Sequence, residues 1–351
     1  QSTLLEGWAW RLSGWIRWAF FAYLLLFTLV VGGALATACG VAGGGLVPLG
    51  DPVTSKIVWG VFHSMLGLVL VWYGSFALFE KLMLYLVGIM FVTVITTAVA
   101  IGPDWGEVAR GLIPSIPAGQ GGWVLAVVGG VGGTVTLLSY GYWMREVGRR
   151  GLRDVRVCRI DLAVGNGVTA LFGMAALIIG SGVQLEGGGA DLPIRMAHLL
   201  QAEIGPWGYW IFLAGFWGAV FSSLLGVWQS IPYMFADFLE LGAGKTPGLR
   251  RQTDLRGSKP YRAYLVFIAT APLVFLWVPV REIQLAYGVI GAFFLPLLAL
   301  TLLLLNNRRR WVGSDFLNRP LSNVILVAAL LFFAYLGAGQ VYERLMEVFG
   351  G

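Results

Sequence analysis

The sequence predicts an all-α protein that crosses a membrane many times, on three observations. Hydrophobic residues make up 58% of the 351 residues and charged residues 12%. Soluble globular domains do not have that balance, and polytopic membrane proteins do. Apolar stretches near the ~20 residues a helix needs to cross the hydrocarbon core recur along the whole chain. Charges collect in the short segments between those stretches, with the basic ones on alternate sides.

Nine spans follow in order, at roughly 15–40, 55–77, 79–101, 123–143, 160–183, 207–239, 262–280, 283–305 and 321–342. The first is expected to end before Gly43-Gly44-Gly45 and Pro48, since glycine and proline clusters punctuate helices. A tight turn around Phe76 to Lys81 joins the second and third. Pro114 to Gly122 breaks the chain ahead of the fourth. The fourth collects Gly129, Gly130, Gly132 and Gly133, then Thr134, Thr136 and Ser139, before Tyr140, Gly141 and Tyr142. Glycine is a poor helix former and threonine a stiff one, so the helix is weakest there. In lipid, irregular backbone survives only against protein or a cavity, and broken helices carry ion sites in inverted-repeat transporters. The glycines equally suit close packing by another helix. The sixth span is over-long and holds Ser222, Ser223, Gln229, Ser230 and Pro232, which either line a cavity or bond to neighbouring helices.

Charge fixes the orientation. Arg145 to Arg159, Lys245 to Arg262, and Arg308 to Arg319 form three basic loops, after the fourth, sixth and eighth spans. Cytoplasmic loops are the ones enriched in Lys and Arg, so these lie inside, with the residue-1 end inside and the C-terminus outside. The 24 basic against 18 acidic residues therefore report topology and not nucleic-acid binding. Trp8, Trp10, Trp15 and Trp18 read as interfacial anchors. Cys39 and Cys158 fall near opposite membrane ends and are expected to stay unpaired. No cleavable signal peptide is visible.

The span interiors are bare. His63 is the only ionisable group expected at membrane depth, Tyr and Cys aside; it either faces a cavity or, the reading an apolar helix favours, packs as a satisfied histidine. No nucleophile, base and metal cluster points to a membrane enzyme, so none is predicted.

Pro103 to Pro117 (PDWGEVARGLIPSIP) followed by VVGGVGGTVTLLSYGYW resembles the Nramp family of divalent-metal transporters. The family has the same Asp-Trp-Gly-Glu-Val loop and Leu-Pro-Ser segment before a broken sixth helix reading Gly-Ala-Thr-Val-Met-Pro-His-Asn. Gly132 to Ser139 stand in that place. Arg159 to Asp161 and Asn307 to Pro320 are also similar. The resemblance implies a LeuT-type fold of two inverted five-helix repeats plus extra helices, with the metal bound where the first and sixth helices unwind. On that alignment residues 1–122 hold the remainder of the first repeat and the outer loop. Residues 123–306 form the second repeat, and 307–351 a loop and an extra helix. Nine of eleven helices are then present, and two, including the one with the family's Asp-Pro-Gly-Asn motif, are expected upstream of Gln1.

The resemblance places Gly133 and Thr136 at the metal, where the family has a carbonyl and a thioether ligand, while Thr134 and Ser139 either join them or satisfy freed backbone groups locally. It implies no cofactor beyond the transported ion, no obligate protein partner, and the cytoplasmic membrane as the site of action. Thr136 stands where the family has a methionine, whose soft thioether favours manganese or iron. Hydroxyl and carbonyl oxygens are hard ligands suited to Mg²⁺. The expected cargo is therefore Mg²⁺ or Mn²⁺, closest to the methionine-less magnesium branch. The span at 15–40 lacks the family's acidic residues for a proton path, so coupling to protons is not expected. The alternative is a LeuT-fold carrier of amino acids or organic solutes, recognisable by binding that ignores divalent metal.

Overall fold

The computed structural model describes residues 3–12, 14–113, 120–130, 135–149, 153–181, 192–242 and 255–349. Among them regular structure is entirely helical. The long helices are α2 (Gly14–Leu46), α3 (Pro52–Tyr73), α4 (Phe76–Ala100), α8 (Asp154–Ser181), α10 (Pro206–Gly242) and α15 (Pro320–Phe349). Shorter ones are α1 (Leu4–Arg11), α5 (Trp105–Gly111), α6 (Gly121–Gly130), α7 (Ser139–Glu146), α9 (Leu192–Ile204), α11 (Lys259–Thr270), α12 (Val280–Ala292), α13 (Phe294–Asn306) and α14 (Arg309–Val312). Among the described residues eight segments are long and apolar enough to span a bilayer, and the ninth predicted span lies in α15, apolar from Pro320 to Leu336.

Two long helices organise the rest. α2 packs on α3, α10 and α12, and α10 packs on α4, α9 and α11. Phe20, Leu24, Phe27 and Val31 of α2 meet Leu224, Trp228, Ile231 and Met234 of α10 in one buried core. With no hydrophobic drive between helices in lipid, small residues decide how closely they approach. The expectation that Gly43 to Gly45 end the first span is overturned, since α2 runs through them to Leu46. A β-carbon on Gly40 would lie 2.1 Å from the Lys56 carbonyl oxygen, and one on Gly43 2.7 Å from the Trp59 ring. These glycines admit α3 rather than break α2. The turn expected around Phe76 to Lys81 falls instead at Gly74–Ser75, because the Ser75 hydroxyl accepts from the Leu78 amide and starts α4 there.

Two predicted spans change geometry midway. α11 passes into a 3-10 helix over Ala271–Trp277, where Pro272 lacks the N–H an α-helix requires. Gly32 and Gly33 of α2 make room for Pro272 and Phe275. The span predicted over 283–305 divides at Phe293 into α12 and α13. Trp8 is corrected from anchor to core: it is fully buried, with its ring centroid 5.1 Å from that of Phe20 and 6.3 Å from that of Phe294. Trp10, Trp15 and Trp18 are exposed. The near-neutral loop before the sixth span contains α9, which buries Ala197 and Leu200 against Phe212 and Leu213. Both cysteines are free.

Candidate functional site

The fourth predicted span is two helices with different partners. α6 ends at Gly130 and packs on α12 and α15. The next described residues, Val135–Leu138, form one 3-10 turn that leads into α7, and turn and α7 both pack on α10. Part of the glycine run serves packing: a β-carbon on Gly129 would lie 1.9 Å from the Gly288 carbonyl oxygen of α12, whereas one on Gly130 would meet nothing within 4 Å among the described residues. Gly133 and Thr134 lie outside the described residues.

Thr136 and Ser139 are described and sit three residues apart, at the turn and at the first residue of α7. Val135, Leu138 and Tyr142 anchor the turn in the central core, leaving Thr136 half-buried. Ser139 is fully buried, and its hydroxyl has no hydrogen-bond partner among the described residues. Elsewhere the helical threonines Thr28, Thr97, Thr169 and Thr270 return their hydroxyls to the carbonyl four residues back. Ser139 does not, so among the described residues its hydroxyl is unused.

The wall facing this end of α7 is α10. Trp143, one turn beyond Ser139, donates its indole N–H to Gln229 Oε1 at 2.7 Å. The Gln229 amide nitrogen and the Ser230 hydroxyl are buried without partners among the described residues. Pro232 withholds a backbone N–H, so the Trp228 carbonyl lacks its ordinary helical donor. Ser222 and Ser223 differ, both donating to the Ala219 carbonyl within α10. The polar residues of the over-long span thus divide into a locally satisfied pair, Gln229 bonded to α7, and Ser230 buried without a partner among the described residues.

The family model described as natural resistance-associated macrophage protein-like matches residues 8–343. This chain belongs to the Nramp family. No curated protein sequence gives a significant match. Among solved structures, a mutant manganese transporter of Eremococcus coleocola is similar over 99% of this chain and 75% of its own, at TM-score 0.64 and 17% identity. That likeness establishes the fold, which is the LeuT type. Nramp proteins are multi-pass membrane transporters rather than enzymes, and they carry divalent metal ions as substrate without a cofactor.

The bareness expected of the span interiors is corrected by Asp237, which lies inside the predicted sixth span and is fully buried. Its Oδ2 accepts from the Tyr142 hydroxyl of α7 at 2.8 Å and from Thr3 at 3.4 Å. Thr3 also caps α1, and the α1 carboxylate of Glu6 is buried, accepting from Arg145 of α7 at 3.1 and 3.2 Å. Beside them Glu146 accepts from Tyr233. This network ties α1, α7 and α10 together at the end bearing the basic loops. Sequence reasoning missed it because Glu6 and Asp237 stand far apart in the chain. The only hint was the acid in Ala-Asp-Phe-Leu-Glu at the end of an otherwise apolar span.

His63 is a packing histidine. Its Nδ1–H donates to the Trp59 carbonyl at 2.7 Å, and Nε2 accepts from the Trp217 indole at 2.8 Å. Phe62 and Phe221 complete the enclosure. Both ring nitrogens are used, and a second proton would displace the Trp217 bond.

Proposed function

We propose that this chain moves Mg²⁺ or Mn²⁺ across the cytoplasmic membrane, past the interruption between α6 and α7. In this reading Gly133 and Thr136 contact the ion or its bound waters, with Thr134 and Ser139 beside them. The observation that carries it is the Ser139 hydroxyl, buried without a partner among the described residues where the helix re-forms. An unused buried hydroxyl costs roughly 1–3 kcal/mol, and a bound ion or its waters is one way such a group is satisfied. The α10 wall adds the Gln229 and Ser230 groups, which suit the outer waters of an ion that keeps part of its hydration. Hard oxygen at Thr136 favours Mg²⁺. The manganese named for the similar transporter keeps Mn²⁺ in the comparison.

Transport proceeds without obligatory proton coupling. His63 is closed on both nitrogens, and Asp237 and Glu6 are occupied in holding α1 and α7. At about −100 mV a divalent cation gains roughly 4.6 kcal/mol by entering, twice the single-charge value, which supplies the drive.

Isothermal titration of the purified chain with Mg²⁺, Mn²⁺ and a panel of amino acids tests the cargo. Saturable divalent binding is expected, with Thr136→Met shifting preference from Mg²⁺ toward Mn²⁺. Unchanged preference removes Thr136 from the site. Amino-acid binding that ignores metal supports the organic-solute carrier instead.

A further inference from the structure

We infer that the cleft between the cytoplasmic ends of α3 and α11 binds the phosphate of an anionic phospholipid. Val71, Trp72, Arg256, Tyr261, Arg262 and Leu265 line a cavity of about 180 Å³, and no lining residue is acidic. Two guanidinium groups are fixed there. Arg256 donates to the Val71 and Gly74 carbonyls, closing the last turn of α3 and holding its planar group at the cavity edge. The guanidinium carbon of Arg262 lies 5.3 Å from the centroid of the Trp72 ring. Among the described residues neither arginine forms an ion pair, and Glu146 of α7 accepts from Tyr233 without lining the cavity. The first turn of α11 carries Lys259 and no acid, so the positive helix end adds to the same field.

Two features select a lipid over a free anion. Trp72, backed by the buried Val71 and Leu265, gives the otherwise polar cavity one apolar side. Close in sequence to the lining residues, Val69 and Tyr73 of α3 and Val266 of α11 are exposed on helices long and apolar enough to span the bilayer, which suits acyl chains. The positive-inside rule places this end at the cytoplasmic leaflet, where basic pockets between helices suit anionic headgroups.

Native mass spectrometry of the full chain with added phosphatidylglycerol or phosphatidylcholine tests the assignment. Wild type should retain one phosphatidylglycerol in preference to phosphatidylcholine. Arg262→Gln, which leaves the α3 cap intact, should lower that retention about fivefold, as expected for one cation at the membrane surface. Arg256→Gln should lower it further, with thermal unfolding recorded to verify the fold. Equal retention of both lipids, or no change in Arg262→Gln, overturns the proposal. Displacement of phosphatidylglycerol by millimolar inorganic phosphate also overturns it, assigning the cleft to a free anion.

Discussion

Replacing Ser139 with alanine separates a functional hydroxyl from a structural one. The oxygen removed is fully buried and has no partner among the described residues. Deleting a structural hydrogen bond costs stability, whereas deleting an unsatisfied group relieves a penalty of about 1–3 kcal/mol. The alanine methyl leaves a void of only one oxygen atom, so the metal-free variant should gain about 1 kcal/mol. In detergent this appears as a thermal midpoint raised on the order of 1–2 °C. Metal should then protect the variant less than the wild type. Losing one hydroxyl contact to the ion's waters, about 1.4 kcal/mol, lowers affinity roughly tenfold. At a concentration a hundred times the wild-type dissociation constant, metal stabilises the wild type by about 2.7 kcal/mol and the variant by about 1.4 kcal/mol. A metal-free variant less stable than the wild type, with unchanged metal protection, would refute the reasoning and make Ser139 a structural residue.

Other outcomes follow from the geometry. Gly129→Ala drives a β-carbon to 1.9 Å from the Gly288 carbonyl oxygen, so α6 and α12 must separate at a cost of about 1–3 kcal/mol. Gly130→Ala meets nothing within 4 Å among the described residues and should be neutral or stabilising, and thermal unfolding in detergent distinguishes the pair. Tyr142→Phe removes a charge-assisted donor from Asp237 and should cost about 1.5 kcal/mol in the same assay. At the opposite end of α3, the Thr54 hydroxyl and the amides of Thr54 and Val53 hold Asp51 below the ordinary carboxylate range. Because the folded value is the lower one, this capping is complete above the unfolded value near ~4 and is lost as pH falls through the folded value. Hydrogen exchange of the Val53 and Thr54 amides should accelerate there relative to the intrinsic rate.

Hydropathy and charge made the spans and their orientation legible, because length and placement of Lys and Arg depend only on local sequence. Glycine was ambiguous. Gly40 and Gly43 admit α3, Gly129 admits α12, and a β-carbon on Gly130 would meet no described residue, yet all four look alike in sequence. Only the backbone of the partner separates a break from a close approach. Trp8 failed as an anchor for a similar reason, since Phe20 and Phe294 cover it from two other helices. Thr136 and Ser139 were found through the weak helix. The Asp237 network was not, because it joins residues 234 and 95 positions apart.

The central claim is tested most directly by reconstituting the protein in liposomes at about −100 mV inside negative, and following divalent uptake beside a luminal pH dye. Mg²⁺ or Mn²⁺ should enter without stoichiometric acidification, and His63→Ala should leave that ratio unchanged. Absence of divalent uptake would contradict the account, and so would metal entry with matched acidification that His63→Ala abolishes.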